Sequence, residues 1–255
     1  MPHTPATARR TRTAASVAGL VAILAGCAGD RRPAVRIFAA ASLTAPFEQL
    51  AARFSATRPD LRVELHCAGT PQLVMQLRQG APADVFASAD QLQMRAVVDA
   101  GLTADEPRRF ASNSLAIVTQ PDNPKAIRSV EDLARPGVTC LLCAPQVPAG
   151  RYAREMMQRA GVAARSASDE PSVRAVVSKV ELGVADAGVV YRSDALAAAA
   201  RVHDVPIPAR LNVEATYPIV TVSTGVQPTG AHEFVAFVLS GEGRRILSEH
   251  GFSSP

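Results

Sequence analysis

The chain has 255 residues, 27 basic and 23 acidic, with a formal charge of +4 and 47% hydrophobic composition. A chain of that size can bury a complete core, as one large or two small domains. Three of its arginines (Arg9, Arg10 and Arg12) sit in an N-terminal segment that reads as an export leader. Without residues 1–26, 229 residues remain and the charge falls to about +1, so composition gives no support to nucleic-acid binding.

The leader pattern is a positive n-region followed by an uncharged apolar run, Ala14 to Leu24. Those 11 residues are too few to span a bilayer and match a secretory h-region. No other segment is long or apolar enough to span one. Leu24-Ala25-Gly26-Cys27 follows and resembles the bacterial lipobox, in which the cysteine becomes the acylated N-terminus. The expectation is a signal peptide over 1–26, a lipid on Cys27 that anchors the chain to the membrane, and a tether over 27–33.

Short apolar strands then alternate with amphipathic helices. Val35 to Ala39 reads as a strand, and Leu43, Phe47, Leu50 and Phe54 form one helical face. A strand over Leu61 to Leu65 precedes a helix with Leu73, Val74 and Leu77, and a strand over Asp84 to Ala87 precedes one with Leu92, Val97 and Val98. A second set opens with a strand from Leu115 to Val118 and continues with one from Val138 to Leu142. Helices are expected from about Tyr152 through Ala160 and over Val173 to Val180, then strands over Ala187 to Val190 and Tyr217 to Val222. A closing helix is expected from Glu233 to Glu249. This rhythm indicates an α/β fold with a largely parallel sheet.

Cys140 and Cys143 invite a redox or metal reading. In a buried strand, however, positions i and i+3 face opposite ways, and no second pair or histidine cluster completes a zinc site. Cys67, Cys140 and Cys143 are therefore read as small packing residues. The sequence has no Gly-x-Ser-x-Gly elbow, no phosphate loop with its lysine and no dinucleotide fingerprint.

Small and hydroxyl residues gather at four helix starts: Ala39 to Thr44, Gly69-Thr70-Pro71, Pro148-Ala149-Gly150 and Pro171-Ser172-Val173. Thr70 reads as an N-cap and Pro71 as the first helical residue. Each segment alone means capping. Several converging on one cleft would instead make an anion site from free N–H groups and helix dipoles.

Five segments in order resemble the molybdate-binding protein (ModA) family of ABC importers. They are Phe38-Ala39-Ala40-Ala41-Ser42-Leu43-Thr44, Gly80-Ala81-Pro82-Ala83-Asp84-Val85-Phe86-Ala87-Ser88-Ala89-Asp90, Asn113-Ser114-Leu115, Val147-Pro148-Ala149-Gly150 and Val189-Val190-Tyr191-Arg192-Ser193-Asp194. The resemblance implies a two-lobed type II periplasmic-binding-protein fold. Lobe one would be 34–113 with 219–255 and lobe two 114–218, with crossings near Asn113-Ser114 and Tyr217. It also implies an oxyanion held by Ser42, Thr70, Ala149, Val173 and Tyr191 through hydroxyls and backbone amides, with no cofactor, no catalysis and no direct metal coordination. Thr70 departs from the serine usual in the family. Arg151 and Arg192 flank site residues and are read as solvated charges, with attraction of an anion at the cleft mouth as the alternative.

The implied function is an extracytoplasmic, monomeric binding lipoprotein that delivers molybdate or tungstate to an importer's permease and ATPase. Molybdate is a dianion whose oxygens only accept hydrogen bonds, so its site must supply donors and avoid carboxylates. That argues against phosphate, which keeps a proton, but leaves sulfate or thiosulfate as alternatives. A serine esterase-like enzyme using Ser42 and a sensory module are the readings from other classes.

Overall fold

The computed structural model describes residues 32–163 and 165–254, together with Met1 and His3. Apart from those two residues the expected leader, and with it Cys27, lies outside the described residues. The strands are β1 (Ala34–Ala40), β2 (Arg62–Ala68), β3 (Val85–Ala87), β4 (Arg108–Asn113), β5 (Leu115–Thr119), β6 (Cys140–Cys143), β7 (Asp169–Glu170), β8 (Ala187–Tyr191), β9 (His203–Pro206) and β10 (Ala215–Thr221). The helices are α1 (Thr44–Thr57), α2 (Thr70–Arg78), α3 (Gln91–Asp99), α4 (Pro148–Arg159), α5 (Val173–Glu181), α6 (Arg192–Ala197), α7 (Pro228–Val238) and α8 (Gly241–Glu249).

The strands form two five-stranded sheets, ordered β2-β1-β3-β10-β4 and β7-β6-β8-β5-β9. Central strands such as β5 and β8 are buried at every position because helices cover both faces. The edge strand β2 is only half-buried and alternates charged with apolar residues, as an edge must to resist further pairing.

As expected, each sheet is mostly parallel: four of its five strands run the same way and one runs against them. Strands β2, β1 and β3 run parallel, but β10 is antiparallel to both β3 and β4. In the other sheet β7, β6 and β8 run parallel while β5 is antiparallel to β8 and β9. The cause is connectivity. Strand β5 follows β4 across the single residue Ser114, and β10 returns to the first sheet after β9, so each arrives against the local direction. All of β10 pairs within the first sheet. The expected division between 218 and 219 therefore cuts a strand, and the return crossing lies in 207–214.

Other differences are local. The expected closing helix is two helices, because Ser240 caps α8 by accepting from the Gly243 N–H. Strands β4, β7 and β9 and helix α6 escaped the sequence reading, being short or charged at one end. The first half packs around Phe47, whose ring lies 5.8 Å from Phe110 and 6.0 Å from Phe234. Cys140 and Cys143 are free and buried in β6, and burial pushes both thiols well above their ordinary range. Among the described residues no cluster of metal-binding side chains occurs, and no helix is long and apolar enough to cross a membrane.

Candidate functional site

Each candidate residue lies at or just beyond the carboxyl end of a strand. Ser42 follows β1, Thr70 follows β2, Ala149 follows β6, Val173 follows β7, and Tyr191 ends β8. In open α/β sheets these ends are where ligands bind, since helix N-termini start there. All five residues are buried and line one cavity, to which both sheets contribute. The cavity encloses about 20 Å³, far below the roughly 300–1,000 Å³ of pockets for drug-sized molecules, so its occupant is small.

The helix starts differ from the capping reading in an informative way. Helix α2 begins at Thr70, with Gly69 at the N-cap and no side-chain cap. The threonine hydroxyl is thus not spent on capping. Helix α4 begins at Pro148 behind Val147, again without a side-chain cap. Ser172 does cap α5, accepting from Ala175 N–H at 3.4 Å, which leaves the earlier Val173 amide without an intrahelical acceptor. Ser42 lies in a 3-10 turn over Ala41–Leu43 that leads into α1, where no side chain caps either. Four turns of free N–H groups therefore border the cavity.

Two glycines allow this close assembly. A Cβ on Gly150 would come within 2.2 Å of the Cys143 and Ala144 carbonyl oxygens. A Cβ on Gly69 would lie 2.5 Å from the Pro171 carbonyl oxygen, which belongs to the other half. Since Gly69 has φ −57°, open to any residue, its glycine serves approach and not conformation.

No charged side chain lines the cavity. Ser42 Oγ lies 3.0 Å from Tyr217 Oη, and the Tyr217 ring packs edge-on against that of Tyr191 at 5.7 Å. Burial raises both phenols well above their ordinary range, so both stay protonated and able to donate. Tyr191 Oη is buried and makes no well-formed hydrogen bond within the protein, although it lies close enough to the Tyr217 phenol to influence its titration. Below it, Tyr191 N–H donates to Asp194 Oδ2 at 3.2 Å. Asp194 keeps a little surface at a neighbouring groove, yet burial pushes its carboxyl up to about 7, a rise that the backbone bond and Arg174 oppose.

That neighbouring groove is wider and shares Ala41 and Ser42, but it carries charges of both signs through Arg174, Asp194 and Arg201. The smaller cavity is the better site, because all five candidate residues line it and no carboxylate does, whereas Asp194 lines the groove. Arg151 is not a freely solvated charge. Its guanidinium donates to Asp90 Oδ2 at 2.6 Å and lies 4.8 Å above the Tyr152 ring. Arg192 is exposed. Sequence reasoning missed Tyr217 as the partner of Ser42 and Asp90 as the partner of Arg151. Both pairings are long-range, and the only local signal was Asp90 in an N-cap position.

Residues 35–253 match the model of the bacterial extracellular solute-binding protein family. The molybdate-binding protein ModA of Mycobacterium tuberculosis H37Rv is 45% identical over 219 residues, 86% of this chain and 84% of that protein. Among solved structures, the periplasmic molybdate-binding protein of Azotobacter vinelandii superposes with a TM-score of 0.76 at 20% identity, covering 87% of this chain and 99% of that one. The sulfate-binding protein SubI of M. tuberculosis H37Rv also reaches 0.76, at 18% identity over 88% of this chain and 87% of that one. The fold is thus that of the type II periplasmic binding proteins, and it does not by itself distinguish one oxyanion from another. The chain belongs to the bacterial extracellular solute-binding protein family and, within it, to the ModA family. It is a solute-binding protein and not an enzyme.

Proposed function

We propose that this protein captures molybdate, and tungstate with it, on the outer side of the membrane and delivers it to the permease and ATPase of an ABC importer. A lipid on Cys27 would hold it there as a monomer. The observation that carries this reading is the convergence of Ser42, Thr70, Ala149, Val173 and Tyr191 on one small cavity lined by donors and free of charged side chains. A dianion that only accepts hydrogen bonds is matched by hydroxyls and free amides, and a carboxylate in the lining would oppose it. The 45% identity to a molybdate-binding relative supports the choice of oxyanion.

In this reading the halves act as two lobes, 34–113 with 215–255 and 114–214. Ser42 and Thr70 belong to the first lobe, and Ala149, Val173 and Tyr191 to the second. Because neither lobe carries the full donor set, the ligand binds the closed arrangement better and shifts the population toward it.

Calorimetric titration of the protein from residue 28 onward with molybdate, tungstate, sulfate and phosphate tests the reading. Tight one-to-one binding of the first two, with sulfate and phosphate silent, is the expected result. A preference for sulfate would keep the fold and overturn the ligand. Mass spectrometry of the membrane-extracted protein tests the anchor, which requires an acylated Cys27 as the first residue.

A further inference from the structure

We infer that Asp90 and Arg151 form a latch between the two lobes, which sets oxyanion affinity by holding the cleft closed without touching the ligand. This rests on the two-lobe reading above. Asp90 stands at the N-cap of α3 in the first lobe, and Arg151 lies in the first turn of α4, two residues beyond Ala149. Their 2.6 Å contact therefore bridges the lobes beside the expected ligand. Gln93 Nε2 adds a longer bridge to the Gln146 carbonyl oxygen at 3.4 Å.

The two oxygens of Asp90 divide the work. Oδ1 accepts from Gln93 N–H at 2.7 Å and caps α3, a bond internal to the first lobe. Oδ2 takes Arg151, a bond that exists only when the lobes meet. The Asp90 side chain is fully buried while Arg151 is 33% exposed, so the pair is shielded on one side only. Arg151 is also held in place by the Tyr152 ring of its own helix, which reduces the entropy lost on docking. Neither residue lines the cavity.

A rival account has Arg151 attract the anion directly. The two accounts differ in sign at Asp90. If the field of Arg151 acted on the ligand, removing the Asp90 charge would strengthen binding. A latch requires that it weaken binding. Asn remains a good N-cap, so Asp90→Asn keeps α3 while discharging the pair.

The test measures molybdate affinity and rates for wild type, Asp90→Asn, Arg151→Gln and the double variant. Each single variant should raise Kd by about tenfold, a value held down by the exposure of Arg151. The loss should fall on the dissociation rate, and the double variant should be little worse than either single one. Arg151→Lys, which keeps charge without the planar fork, should recover part of the loss. Unchanged or tighter binding by Asp90→Asn overturns the latch. Small-angle scattering of the ligand-free variants reads the latch independently of any ligand, and both single variants should show a larger radius of gyration than wild type. If wild type proves silent toward every oxyanion, the ligand reading fails, and the scattering comparison still decides the latch.

Discussion

The hydroxyls of Ser42 and Tyr217 meet at 3.0 Å, joining the turn after β1 to a strand that enters the same sheet from the other half of the chain. The bond fixes the Ser42 hydroxyl from behind, so a ligand can use it without first ordering it. Tyr217→Phe should therefore weaken molybdate binding severalfold, by about 1 kcal/mol for one neutral hydrogen bond. Ser42→Ala should weaken it more, and the two losses should not add, because they act on one hydroxyl. Calorimetry on the two variants and their combination measures this, and strict additivity would separate Tyr217 from the site.

Tyr191 makes the opposite bargain between stability and binding. Its buried hydroxyl has no well-formed protein partner, an arrangement that costs about 1–3 kcal/mol of folding free energy. Tyr191→Phe should leave the ligand-free melting temperature unchanged or raise it, while reducing the extra stabilisation that molybdate gives. A fall of several degrees without ligand would show that the phenol serves packing, and unchanged affinity would remove it from the site.

Much of this was legible in the sequence, for identifiable reasons. The βα rhythm appears because buried strands such as β8 are apolar at every position and the helices carry one apolar stripe. The five candidate residues could be named because the segments around them resemble the ModA family, whereas their place at strand ends alone indicated only helix capping. Strand direction could not be read: nothing local in Ala215–Thr221 says that it lies between β3 and β4. The partners Tyr217 and Asp90 were hidden for the same reason. Ser42 and Tyr217 are 175 positions apart, and Asp90 and Arg151 are 61 apart, so only the folded chain brings them together. Arg151 looked like a surface charge because charge alone carries no sign of its partner.

Gly69 limits how closely the halves approach. With the Pro171 carbonyl oxygen 2.5 Å from where a Cβ would stand, Gly69→Val cannot reach this arrangement unless the halves move apart. The first half should fold normally, since the φ of −57° suits valine. Circular dichroism should match wild type while molybdate affinity falls by tenfold or more, on the order of the 1–3 kcal/mol that overpacking costs. Wild-type affinity in this variant would mean that the contact yields easily and plays no part in closure.

Asp194 gives the protein a pH dependence of unusual sign. Burial raises its carboxyl to about 7, well above its ordinary value, so the folded protein holds this proton more tightly than the unfolded chain. Between the ordinary carboxylate pKa of about 3.9 and 7 the folded state binds more protons, and the contribution of this residue to stability falls as pH rises. The penalty is absent below that window and complete above it, the reverse of a salt-bridged carboxylate. Asp194→Asn can still accept the Tyr191 N–H through its amide oxygen but has no charge to bury. Denaturant unfolding at pH 5 and pH 8 should therefore show the variant gaining on wild type as pH rises. An equal difference at both values would mean that Asp194 ionises in the fold as it does in water.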